Sequence, residues 1–278
     1  MCLLVVASRI VPAEPLIVGA NRDEVLDRPS TPVTVLSPGP PRVVGGRDEL
    51  SGGTWLAVNR DGVCAGLTNQ PLGDAKDPTR RSRGELPLVA VRFPTAREGV
   101  ERLEREVDPA DYNGAWLLVG DRTSLWFVDV TGAQVRAVEL PPGIHVLENR
   151  AVDTASAKVD LVREGLGDLV GMWSRSGPDH DSGSGLDGDT VEAAFRRVLA
   201  DHRIPEGDER PNSANCVHLD GFGTRSSCVV RIASGAHADG AGPAPRMWVA
   251  DGPPCTTTYT DVSALWAERP PGRWTGGR

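Results

Sequence analysis

The chain opens MCLLVVAS (residues 1–8), and the reading of these eight residues decides the rest. CLLVVAS is an apolar run of strand length, closed by Arg9, and PLIVGAN (15–21) is a second such run a short turn later. Between them they read as neighbouring strands. Cys2 stands at the very start of the first. A cysteine in a strand is ordinarily a small buried hydrophobe. A second reading opens if Met1 is removed, as is usual before a small residue. Thiol and free α-amine then share one residue. The α-amine has an ordinary pKa of about 7.7–8.0, against about 8.5 for the thiol. It can therefore serve as the base near neutral pH, with no catalytic histidine. Such a nucleophile still needs donors for an oxyanion and a group to hold the ammonium.

Working outward, the first half continues as strands. TWLAV and VCAGLTN flank NRDG (59–62), so 54–69 reads as a hairpin on an Asp-Gly turn. AWLLVG, LWFVDV and QVRAVEL over 115–140 read as a meander. Helical spacing appears in three places: Val100, Leu103 and Val107; Val159, Val162, Leu166 and Leu169; and Val191, Phe195, Val198 and Leu199. Strands return with SSCVVRIA and RMWVADG. Strands at both ends with helices between predict an α+β layered fold rather than a βαβ array. Residues 174–189 are rich in Gly, Ser and Asp and read as a flexible surface loop. Their acidic residues lack the spacing of a calcium loop. The Pro/Gly-rich tail from about residue 268 reads as frayed. The expected organisation is one domain over 1–278.

The bulk properties narrow the function classes. A net charge of −8 gives no basic face for nucleic acid. No apolar run is long enough for a transmembrane helix. The start lacks the basic leader of a signal peptide, so a cytoplasmic location with reduced thiols is expected. The five cysteines are odd in number and include no CxxC pair, which argues against a disulfide framework or structural zinc. Cys216 and His218 have the spacing of a two-residue metal fragment, but with no second pair in the sequence they read as structural. No c-type haem attachment motif occurs among the five histidines. Neither metal nor cofactor is expected.

Four fragments could carry chemistry. GANRDE (19–24) crowds Asn21, Arg22, Asp23 and Glu24 at a strand end. Asn69 ends the second strand of the hairpin, Asn149 follows IHVLE, and Thr224, Arg225 and Ser226 begin a strand. Each alone is ordinary: asparagine at a strand end is usually a turn former. Together, MCLL, ANRDE, GGTWLAVN, GLTN, HVLEN and GTRSS, in that order from Met1 to about residue 232, resemble the NRDE family, that of the transport and Golgi organisation protein 2.

That family resembles the N-terminal nucleophile (Ntn) hydrolases, and is similar in motif order to choloylglycine hydrolases and penicillin V acylases. The resemblance implies a four-layer αββα sandwich that cleaves amides with an N-terminal cysteine. It implies Cys2 as nucleophile, Asp23 as the holder of the α-amine, Asn69 as oxyanion donor, Asn149 as second active-site asparagine and Arg225 as the late strand arginine. Asn21, Arg22, Glu24 and Trp55 are the expected substrate-binding residues. One departure stands out. The acylases read G-R-N-x-D where this chain has Gly19-Ala20-Asn21-Arg22-Asp23. The arginine is displaced by two residues, which keeps it on the same strand face, about 6–7 Å further along. Arg22 either replaces the missing arginine or serves a different substrate. The implied partner is a small amide or acyl substrate. The alternative is a non-catalytic carrier of the same fold, handling haem or acyl-lipid in a trafficking-related role. Trp55, Trp116 and Trp126 either line an acyl pocket or pack in the core.

Overall fold

The computed structural model describes residues 2–71, 76–167, 169, 171, 186–208, 210–235 and 242–267. Two antiparallel sheets carry the fold. The first is built from β1 (Cys2–Ser8), β2 (Leu16–Val25), β10 (Gly143–Leu147), β11 (His218–Leu219), β12 (Phe222–Ile232), β13 (Arg246–Ala250) and β14 (Thr260–Asp261). Its order is β10-β1-β2-β12-β13-β14, with β11 paired to β12. The second runs in chain order through β3 (Ser30–Ser37), β4 (Val43–Asp48), β5 (Leu56–Asn59), β6 (Cys64–Asn69), β7 (Ala115–Gly120), β8 (Leu125–Val130) and β9 (Arg136–Glu139).

The period-2 alternation of the opening strand sorts the layers. Leu3, Val5 and Ala7 point outward onto α3 (Ala157–Gly165) and α4 (Gly188–Leu199), in a core with Val162, Phe195 and Leu199. Leu4 and Val6 point inward, between the sheets, with Leu56, Val58, Leu118 and Val230. The far face of the second sheet packs on α1 (Glu85–Ala90) and α2 (Ala96–Glu106) through Leu86, Val100 and Leu103. The result is helix, sheet, sheet, helix: the α+β αββα sandwich expected from the resemblance.

Local chemistry explains most boundaries. The hairpin of β5 and β6 turns where Gly62 takes φ +93°, a conformation that favours glycine. Asn59 holds that turn by accepting from the Val63 N–H, while its amide donates to the Val91 and Phe93 carbonyls after α1. Thr95, Ser156 and Asp187 cap α2, α3 and α4. Asp187–Asp189 thus cap and begin a helix, which corrects the C-terminal end of the loop expected over 174–189. Its remaining residues, apart from buried Leu186, lie outside the described residues, as does the tail from 268. β3 and β4 were not foreseen. β3 carries Pro32, two register shifts and a half-buried pattern, which sequence alternation does not reveal, and it occupies a sheet edge where a proline is tolerated.

Candidate active site

β1 and β2 place the site by register. Cys2 lies directly across from Arg22 and Leu3 across from Asn21. Side chains of opposed residues share a face, so Cys2 and Arg22 both belong to the inter-sheet side. There they line a cavity of about 520 Å³ at the end of the sandwich, together with Asp23, Glu24, Trp55 and Asn69. The displaced arginine of the sequence therefore stands beside the cysteine after all.

Arg22 is nearly buried, and its guanidinium lies 4.3 Å from the Trp55 ring centroid. Trp55 reaches that position only because position 46 is glycine: a Cβ there would come within 2.2 Å of the indole. Arg22 Nη2 reaches Asp48 at 3.4 Å, while its Nη1 is buried with no hydrogen-bond partner. Burial disfavours the charged form of Arg22, opposed by Cys2, Glu24 and Asp48. Asp48 is gripped mainly by Arg28, at 2.6 and 3.1 Å, and by the Ser51 N–H at 2.8 Å. Burial alone would raise its carboxyl, but these donors and Arg22 hold it below the usual carboxylate range.

Behind the cysteine lies a buried charge pair. Asp23 Oδ1 accepts from the Thr224 hydroxyl at 2.6 Å, and its Oδ2 is 4.0 Å from Lys158 Nζ. Both side chains are almost fully buried, at 0% and 3% exposure. Burial pushes the Asp23 carboxyl up, while Lys158 and Thr224 pull it down. The Cys2 thiol is also pushed up by burial and by the Asp23 carboxylate, with Arg22 acting against both. Cys64 and Cys228 sit in the apolar inter-sheet core, and burial drives Cys228 to about 12. Those two are inert packing thiols.

The asparagines divide. Asn69 lines the cavity, and Asn149 donates its amide to the Asn69 carbonyl, which makes Asn149 a positioning residue for that strand end. Three expected site residues are absent from the cavity lining: Asn149, corrected from catalytic contact to the support of Asn69, and Asn21 and Arg225. Asn21 faces the helices, where it donates to the Leu199 and Asn215 carbonyls at 2.8 Å each. It ties β2 to the end of α4 and is corrected from substrate contact to structural staple. Arg225 is the extra residue of a β-bulge between Thr224 and Ser226. A bulge re-aims its side chain. The guanidinium turns away to clamp the Val25, Leu26 and Arg28 carbonyls, and is absent from the cavity lining. Its expected place beside the thiol is taken by Arg22. Of the tryptophans, Trp116 and Trp126 pack on the core and only Trp55 of the three reaches the cavity.

Sequence reasoning missed Lys158, Asp48, Arg28 and Arg83. Lys158 carried a signal: on α3 it shares its face with Leu161 and Val162, three and four residues on, where a lysine is out of place. The lining is also strongly basic. Arg22, Arg28, Lys76, Arg80, Arg81 and Arg83 face Asp23, Glu24 and Asp48. Arg28, Arg80 and Arg81 are committed to Asp48, Asp77 and Glu85. Arg83 donates only to the Gly114 carbonyl and has no carboxylate partner among the described residues.

This geometry agrees with what the chain is similar to. Residues 1–239 match the family model "Transport and Golgi organisation 2". The chain belongs to that family. The Transport and Golgi organization protein 2 homolog of Bos taurus is 27% identical over 245 residues, covering 80% of this chain and 83% of the relative. Among solved structures, a Caenorhabditis elegans ortholog of N-acylethanolamine-hydrolyzing acid amidase superposes with a TM-score of 0.55 at 14% identity, over 88% of this chain and 98% of that one. A mutant of conjugated bile acid hydrolase from Clostridium perfringens superposes with a TM-score of 0.53 at 13% identity, over 97% and 95%. At such identity the likeness shows the fold alone, and this chain has that of the Ntn hydrolases. Among the described residues, no helix is long and apolar enough to cross a membrane.

Proposed function

We propose that this chain is an N-terminal-cysteine amidohydrolase, acting after removal of Met1 on a small amide that bears an anionic group. One observation carries the reading: register sets Cys2 opposite Arg22 on the cavity face, with the buried Asp23–Lys158 pair at its back. Loss of Met1 would free an α-amine on Cys2, beside the Asp23 carboxylate. That amine takes the thiol proton, and the thiolate attacks the amide carbonyl. Asn69 donates to the developing oxyanion; one such donor is worth about 3 kcal/mol of barrier. The ammonium then protonates the leaving amine; water, deprotonated by the same amine, attacks the thioester, and the acid leaves as the proton returns to the Cys2 sulfur. Asp23 holds the ammonium, and Lys158 keeps Asp23 ionised in its dry setting. Arg22 favours the thiolate by charge.

The anionic preference rests on Arg22 Nη1, buried with no hydrogen-bond partner among the described residues, and on Arg83, which forms no ion pair with a carboxylate among them, Glu24 acting on it only at longer range. A buried guanidinium with an open donor is matched by carboxylate or phosphate.

The test is turnover of matched N-acyl amides, with and without a carboxylate, by the Met1-free protein. The carboxylate series should be cleaved faster, Cys2→Ser should lose nearly all turnover, and Arg83→Met should raise KM for the anionic members alone. Equal cleavage of the neutral series would overturn the anionic preference. Turnover unchanged in Cys2→Ser would overturn the nucleophile.

A further inference from the structure

A second cluster lies away from the cavity, on the edge of the first sheet. Cys216 and His218 have the spacing of a metal fragment without a second pair, and the fold supplies partners from both sides in the chain. The donor atoms of His202, His218 and Cys255 all lie within 4.8 Å of one another. Cys216 Sγ is 3.4 Å from His218 Nε2 and 3.7 Å from Cys255 Sγ, and His218 Nε2 is 3.1 Å from Cys255 Sγ. The His202 and His218 rings stand edge-on, with centroids 6.0 Å apart and planes at 84°. We propose that His202, His218 and Cys255 bind a structural zinc-class divalent cation, with Cys216, whose sulfur lies near His218 and Cys255 but outside the group within 4.8 Å, as fourth ligand once the exposed His202 turns inward.

The spacing fits the chemistry. Tetrahedral zinc with Zn–S of about 2.3 Å and Zn–N of about 2.0–2.1 Å has S···S edges of about 3.8 Å and S···N edges of about 3.5 Å. The 3.7 Å sulfur pair and the 3.4 Å sulfur–nitrogen pair lie at those edges, and the 3.1 Å pair would open by about 0.4 Å to take a metal. Two thiolates and two neutral imidazoles neutralise a divalent cation, and soft N/S donors select zinc over magnesium or calcium. Binding releases the two thiol protons to solvent. Access is open, since Cys216 is buried but His202 and His218 are exposed.

Four protein ligands leave no open position, so the ion is structural. It would fasten three segments: the exit of α4, the strand β11, and the connection between β13 and β14. It also abuts the active-site scaffold. The Val217 N–H donates to the Thr224 hydroxyl, which donates to Asp23.

The test is titration of the reduced, metal-stripped full chain with Co²⁺ alone, followed by displacement with Zn²⁺. One equivalent of Co²⁺ should produce thiolate charge-transfer bands and intense tetrahedral d–d bands, and Zn²⁺ should abolish them. His202→Ala lies on the exposed side and should fold while losing about tenfold or more in affinity. Cys255→Ser should weaken the charge-transfer band. Cys2→Ala should leave the spectrum unchanged, since Cys2 belongs to the other site. The proposal is overturned if the reduced chain gives no tetrahedral spectrum. It is equally overturned if the bands vanish in Cys2→Ala and persist in Cys255→Ser. Quantitative formation of a Cys216–Cys255 disulfide in protein purified with Zn²⁺ present would overturn it too.

Discussion

Replacing Lys158 with methionine tests the buried pair on which the active-site reading leans. Methionine keeps the length of the side chain and removes only the charge. Lys158 Nζ has no hydrogen-bond partner, and its Coulomb partner is Asp23 Oδ2 at 4.0 Å. At an effective dielectric near 20, a pair at that distance is worth about 4 kcal/mol. Removal of one member of a buried pair ordinarily costs about 3–5 kcal/mol, because the other charge is left in a dry site. Lys158→Met should therefore lower unfolding free energy by roughly 3–4 kcal/mol at pH 7. Asp23→Asn alone should cost a similar amount. The double variant has no buried charge at this point and should cost about as much as either single variant alone, a coupling of about 3 kcal/mol. Urea denaturation of the four proteins measures the cycle. Turnover supplies an independent reading, since Lys158→Met should leave the Asp23 carboxyl protonated and unable to hold an ammonium. A coupling below about 0.5 kcal/mol would refute the claim that the two charges sustain each other.

Other outcomes follow from the same geometry. Asp48→Asn should cost about 1.5–3 kcal/mol at pH 7 through loss of its charged hydrogen bonds. The folded Asp48 carboxyl is depressed, so its contribution is present above the unfolded value of about 3.9 and fades as pH falls through the lower folded value. Wild type and Asp48→Asn should accordingly converge in stability in strong acid, and a difference unchanged from pH 7 to pH 2 would contradict the assignment. Arg225→Ala should lower the melting temperature by a few degrees by freeing the carbonyls of Val25, Leu26 and Arg28. It should leave the alkylation rate of Cys2 within about twofold, since a bulge residue aimed at a turn carries little charge effect to the thiol. A tenfold slowing would restore Arg225 to the active site.

The layered fold was legible because its signals are local. The apolar run CLLVVAS, the Asp-Gly turn of the hairpin and the helical stripe at 191–199 are all readable without tertiary context. Asn69 was legible for the same reason: it ends the strand that the turn begins. Arg225 was not, because a bulge leaves no mark in one sequence and reverses the direction of a side chain. Asn21 was misplaced by parity. It lies one residue from Arg22, and one residue on a strand is the opposite face. His202 and Cys255 lie 14 and 39 residues from Cys216, on segments that only sheet pairing brings together, so no spacing rule could collect them. Arg83 and Asp48 are common charged residues in turns, and their meaning is their convergence on one cavity.

The central claim is that Cys2 works as an N-terminal nucleophile, and intact mass addresses it most directly. The purified protein is weighed before and after brief exposure to a thiol-reactive electrophile at pH 7, and the site is mapped. The account predicts a chain lacking Met1 that takes one label at Cys2, much faster than at the other four cysteines. A chain that keeps Met1, or a Cys2 that reacts no faster than an ordinary exposed thiol, would contradict it.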